Sequence, residues 1–97
     1  MMTLEQYLLT KLAEEAAEIS QIALKTAQFG VHEKYKPSGL TNIERVEQEY
    51  NDLIAIVSML KEECNIVIKT DEDKIKSKKS KVFHYLNYSR NLCLTEF

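Results

Sequence analysis

Lys11-Leu12-Ala13-Glu14-Glu15-Ala16-Ala17-Glu18-Ile19 places three carboxylates inside a segment whose apolar residues keep helical time. Outward from it, Leu4, Leu8, Leu12, Ile19, Ile22 and Phe29 recur at the spacing of one helix face. Thr3 with Gln6 forms a capping-box pattern, so the helix is expected to begin near Leu4. Gly30 is its expected stop, because glycine accepts the left-handed conformation at a helix end. At about 100° per residue, Glu15 falls between Leu8 and Ile22 on the apolar stripe. A carboxylate buried there without a partner is costly. Glu18 lies one turn on and about 60° round, with Glu14 on the same edge. Three acids in one sector repel one another unless a cation neutralises them.

Residues 30–41 hold both glycines and the single proline, and read as a loop long enough to carry function. Thr41 with Glu44 repeats the capping-box signal. The second helix then sets Ile43, Val46, Tyr50, Leu53, Ile54, Val57, Leu60 and Cys64 on one stripe, with Asn65 a candidate cap. Residues 65–69 read as a short extended link. Thr70 with Asp73 is expected to open a third helix, supported by Asp71 and Glu72, with Ile75, Val82, Leu86 and Cys93 on its core face. No internal repeat and no second domain is visible, so residues 1–97 are read as one domain.

The expected fold is therefore all-α, with three main helices. Alanines 13, 16, 17, 23 and 27 on other flanks of the first helix allow close approach by another helix. A 97-residue chain buries a limited core by itself. The bundle is thus expected to be completed by homo-oligomerisation, as a dimer or tetramer; the alternative is a monomeric three-helix bundle. Only two glycines and one proline argue against a turn-rich β fold, and 44% hydrophobic with 29% charged residues suits amphipathic helices. The net charge of −2 disfavours nucleic acid as a partner. Cys64 and Cys93 form no paired motif, and the N-terminal residues carry neither a basic nor an apolar signal segment, so a cytoplasmic setting with reduced thiols is expected. The longest nearly unbroken apolar run, residues 53–60, is far short of the roughly 20 residues a membrane span needs.

Glu49 and Asp52 form a second pair, three residues apart and flanking the core stripe of the second helix. Two helices each offering such a pair can surround one or two hard cations, and oxygen-only ligands suit Mg²⁺ or Mn²⁺ rather than Zn²⁺. The competing reading is a set of surface salt bridges to Lys11, Lys25 and Arg45.

On the third helix, Lys74, Lys78, Lys81, Tyr85 and Tyr88 share a side distinct from the core face. Such a stripe can hold a triphosphate and meet a base, or it can simply be a solvated face. His32 and His84 lack a second histidine at ligand spacing. Tyr35 in the loop is a further candidate to close over a base.

Glu14-Glu15-x-x-Glu18 followed by Glu49-x-x-Asp52 on the next helix resembles the MazG family of all-α nucleoside triphosphate pyrophosphohydrolases, which carries EExxE and ExxD motifs on successive helices. The resemblance covers roughly residues 4–64 and is fainter in the third helix. The 30 residues between Glu18 and Glu49 slightly exceed the family's usual spacing, and the helix that usually precedes EExxE is shortened or missing. In this the chain is similar to compact bacteriophage members, which would place it in a host cytoplasm. The resemblance implies that Glu15, Glu18, Glu49 and Asp52 are metal ligands, and that Glu14 acts through water or a second ion. It further implies hydrolysis of (deoxy)nucleoside triphosphates to monophosphate and pyrophosphate. Two rival readings stand beside it: a non-enzymatic helical interaction module, and a metal-bound nucleotide sensor.

Overall fold

Thr3 opens the first helix with both halves of a capping box. Its hydroxyl accepts from the Gln6 backbone N–H, and the Gln6 side chain accepts from the Thr3 N–H. The computed structural model describes residues 1–96. In it α1 spans Leu4–Phe29, α2 Asn42–Cys64 and α3 Glu72–Asn91, and no strand forms among the described residues. Thr41 and Glu44 cap α2 in the same reciprocal way. Asn65 ends α2 in the left-handed conformation, φ 58° and ψ 31°, which asparagine tolerates better than most residues. At α3 the expectation needs correcting. The cap is Asp71, not Thr70: its carboxylate accepts from the backbone N–H groups of Asp73 and Lys74. There its charge also meets the positive end of the helix dipole.

The connection between α1 and α2 is folded rather than loose. Gly30 ends α1 as expected, but at φ 102° and ψ 154° rather than in the expected left-handed helical conformation; this extended positive-φ region is essentially restricted to glycine. Lys36-Pro37-Ser38-Gly39 forms a turn closed by Gly39 N–H donating to the Lys36 carbonyl at 2.8 Å. Proline second and glycine fourth is the pattern such turns favour. Lys34 pairs with Thr41 in an isolated antiparallel bridge. Asn42, 2% exposed, then ties the loop to the helix. Its amide donates to the Gly30 carbonyl at 2.9 Å and to the Glu33 carboxylate at 2.7 Å.

α1 and α2 form an antiparallel hairpin. Its seam uses positions 8, 12, 15, 19, 22 and 26 of α1 and positions 42, 46, 49, 53, 56 and 60 of α2, all buried or half-buried. Both sets alternate steps of four and three, the rhythm of helices packed at a shallow angle. The stripe of α2 is thereby turned from its expected position. Ile43, Tyr50 and Ile54 are exposed, whereas Glu49 and Ile56 enter the seam. Leu8, Ile22 and Leu60 are the only buried apolar side chains among the described residues.

α3 packs on neither α1 nor α2. Its expected core face stays open within the chain: Ile75 is 37% and Val82 47% exposed, Leu86 is half-buried and Cys93 exposed. The radius of gyration, 17.2 Å, exceeds the roughly 13 Å of a compact chain of this length. Within one copy the all-α fold is thus a two-helix hairpin with an outlying third helix, and a three-helix bundle does not form. No helix is long and apolar enough to cross a membrane among the described residues.

Candidate metal centre

The antiparallel register sets the middle of α1 against the first half of α2, and four acids meet there. One carboxylate oxygen from each of Glu15, Glu18, Glu49 and Asp52 lies within 4.8 Å of the others. Glu15 and Glu49 occupy seam positions and are half-buried, while Glu18 and Asp52 rim the cluster and are exposed. The i, i+3 spacing within each helix makes this convergence possible, because it puts each seam acid beside a rim acid one turn away.

The electrostatics are those of an uncompensated site. Oε2 of Glu15 and Oε2 of Glu49 are buried, and no donor from the described residues reaches either. The Glu15 carboxyl is raised above its ordinary range by desolvation first, then by the charges of Glu18 and Asp52. Glu49 is pushed up to about 7, first by the adjoining Glu18 carboxyl, with which its protonated form would share a proton, then by desolvation and by the charges of Glu18, Asp52 and Glu15. All three effects disfavour the ionised form, and a bound cation reverses the electrostatic part.

Glu14 stands apart. It is outside the four-acid cluster and pairs with Lys11 at 3.0 Å on the exposed surface. Such an exposed pair contributes little stability. It is also the only ion pair among the described residues, so the salt-bridge alternative accounts for Glu14 and not for the other four acids.

Lys25 and Arg45 line a small cleft of about 240 Å³ together with Glu18, Gln21, Ile22 and Glu49. In the sequence these two cations stand out only as salt-bridge partners. Their helical offsets carried a better signal: Lys25 is seven residues after Glu18, and Arg45 four before Glu49, so each shares a helix side with an acid of the cluster. The expected substrate residues Lys74, Lys78, Lys81, Tyr85 and Tyr88 are all on α3. The structure does not pack that helix against the acid-bearing hairpin of the same chain.

Fold and site together define an all-α helical hairpin with a four-carboxylate cluster in its seam. The donor set is hard and oxygen-only, and its orphaned oxygens fit a divalent cation of the Mg²⁺ or Mn²⁺ kind. No family model, curated protein or solved structure matches the chain.

Proposed function

We propose that this chain is a divalent-cation-dependent nucleoside triphosphate pyrophosphohydrolase, similar to the MazG family, with Glu15, Glu18, Glu49 and Asp52 as the ligands. The observation that carries the reading is the pair of buried carboxylate oxygens on Glu15 and Glu49 that find no donor among the described residues. A helix seam built for stability alone would hold leucine or isoleucine at both positions. Mg²⁺ bound there would neutralise phosphate charge and lower the pKa of a coordinated water.

The remaining work falls to the chain's own groups. Lys25 and Arg45, beside Glu18 and Glu49, supply positive charge for the phosphate oxygens. A carboxylate of the cluster that keeps a free oxygen accepts the proton of the attacking water. The water oxygen bonds to the α-phosphorus, the bond from that phosphorus to the bridging oxygen breaks, and pyrophosphate leaves. Glu14 is placed for a secondary role at most, given its pairing with Lys11.

The working unit in this reading is a homo-oligomer. Three buried apolar side chains among the described residues are a small core. A second copy would cover the open faces of α2 and α3. The α3 lysines and tyrosines would then serve the substrate from a neighbouring copy.

The test is a panel of canonical and modified nucleoside triphosphates with Mg²⁺, assayed for pyrophosphate release. Release that requires Mg²⁺ is the expected result; no release from any nucleotide contradicts hydrolysis. One observation favours a second reading, a helical interaction module: the unpartnered apolar face of α3. That module needs no acid cluster and predicts no stabilisation by Mg²⁺. A nucleotide sensor would bind metal and nucleotide without turnover.

A further inference from the structure

Beside the acid cluster the hairpin end holds a larger cleft of about 600 Å³, within the size range of small-molecule sites. Its walls include Phe29 at the end of α1, Tyr35 and Leu40 from the loop, and Gln48 on α2. Lys25 and Arg45 line this cleft as well as the small one beside Glu18 and Glu49, so the two form one continuous surface.

We infer that this cleft receives the nucleoside half of the substrate, with the triphosphate running past Lys25 and Arg45 to the four acids. The inference rests on the hydrolase reading above and names the part of the site that grips the nucleoside. Three features carry it.

The first is unused aromatic surface. Phe29 is 59% and Tyr35 80% exposed, so two rings border the cleft with most of their area open. Rings in that state can stack on a base, whatever its identity.

The second is charge order. Neither Lys25 nor Arg45 is in an ion pair among the described residues, although carboxylates line the same small cleft. Glu33 and Lys36 also border the larger cleft, the carboxylate of Glu33 being held by Asn42. Cations between this largely apolar cleft and an acid cluster match a ligand with an aromatic head, an anionic middle and a metal-bound end.

The third is a fixed frame. The buried Asn42 clamp, the Pro37 turn and the Lys34–Thr41 bridge hold the loop that carries Tyr35 and Leu40. A loop held in this way loses less entropy when a ligand arrives.

The experiment is calorimetric binding, with Mg²⁺, of α,β-imido deoxynucleoside triphosphates bearing each of the four bases and of inorganic tripolyphosphate. The parent is compared with Phe29→Ala, Tyr35→Ala, Tyr35→Phe and Arg45→Ala, each checked for helix content. Phe29→Ala and Tyr35→Ala are expected to weaken nucleotide binding by roughly tenfold each. Their affinity for tripolyphosphate should match the parent's, and Tyr35→Phe, which keeps the ring, should bind like the parent. Arg45→Ala should weaken both ligands. Nucleotide affinity unchanged in both ring deletions overturns the inference, as would a parent that binds the nucleotides no more tightly than tripolyphosphate. A chain dimer that covers the cleft would give that second result. Nucleotide binding that is ring-dependent but indifferent to Mg²⁺ would keep the cleft assignment and remove the metal-dependent hydrolase reading. Mg²⁺ binding without nucleotide binding would overturn the cleft assignment and the hydrolase reading alike, and leave only the metal centre.

Discussion

Glu15 on α1 and Glu49 on α2 meet across the hairpin seam, each with one buried oxygen that no donor among the described residues reaches, and with carboxylate oxygens within 4.8 Å of each other. Their positions are those at which the four-and-three spacing of each helix calls for an apolar side chain. The hairpin thus carries an electrostatic fault at its centre, flanked by Leu12, Ile19, Val46 and Leu53, which are half-buried seam residues. A cation bound there would offset that fault, as the proposed function requires.

The first prediction concerns pH. Glu49 is raised from 4.5 to about 7, and Glu15 is raised too. A carboxyl whose folded pKa lies above its unfolded value stabilises the fold while protonated. That contribution is complete below pH 4.5 and is lost as pH climbs through about 7. Glu44, lowered by its bonds to the Thr41 backbone and hydroxyl, has the opposite sign, and its contribution fades only as pH falls below 4.5. Metal-free protein should therefore melt at lower temperature at about pH 7.5 than at about pH 5.5, and Glu49→Gln should flatten the slope. Thermal melts in a chelator across this range measure it; a parent slope unchanged in Glu49→Gln would place the effect elsewhere.

Asn42 provides a second prediction. Removing its amide strands the Gly30 carbonyl and releases Glu33, so Asn42→Ala should cost about 1–3 kcal/mol in urea unfolding. The damage lies at the loop end of the hairpin. Mg²⁺ affinity should stay within about twofold of the parent, since an intact cluster sets it. A large loss of Mg²⁺ affinity would mean that the loop and the acids are coupled.

Association of copies is the third. Light scattering should return at least twice the chain mass of 11.3 kDa at micromolar concentration. Val82→Asp, which puts a charge on the open apolar face of α3, should shift that mass toward 11.3 kDa. A parent already at the monomer mass would leave the exposed faces of α2 and α3 without the proposed cover.

Much of this arrangement was legible in the sequence because it is local. The two Thr-x-x-Glu/Gln boxes, the Gly30 stop and the Asn65 cap each depend on residues within a turn or two. Glu15 on the stripe could be read from α1 alone. Glu49 reads as a flanking residue because Ile43, Tyr50 and Ile54 pull the apparent stripe of α2 to one side. Only the packing partner selects which of two overlapping apolar arcs becomes the seam. The same limit applies to α3. Its apolar face at Ile75, Val82 and Leu86 is plain in the sequence, but periodicity does not say which surface covers it. At α3 the Thr70–Asp73 spacing suggests a cap one residue early, because Asp71 accepts from two backbone N–H groups by itself.

The most direct test of the central claim is the Mg²⁺-dependent shift in melting temperature of the parent and of Glu15→Gln, measured side by side. The substitution keeps the size of the side chain and removes the charge. Without metal the mutant should melt no lower than the parent, because repulsion from Glu18 and Asp52 is relieved. At about a hundred times the dissociation constant, Mg²⁺ should stabilise the parent by about 2.7 kcal/mol. The mutant, which has lost a ligand, should gain much less at the same concentration, and its Mg²⁺-dependent pyrophosphate release should fall by about two orders of magnitude. An equal Mg²⁺ shift in the two proteins, or a parent that Mg²⁺ does not stabilise at all, would contradict the assignment of the four acids as a metal centre.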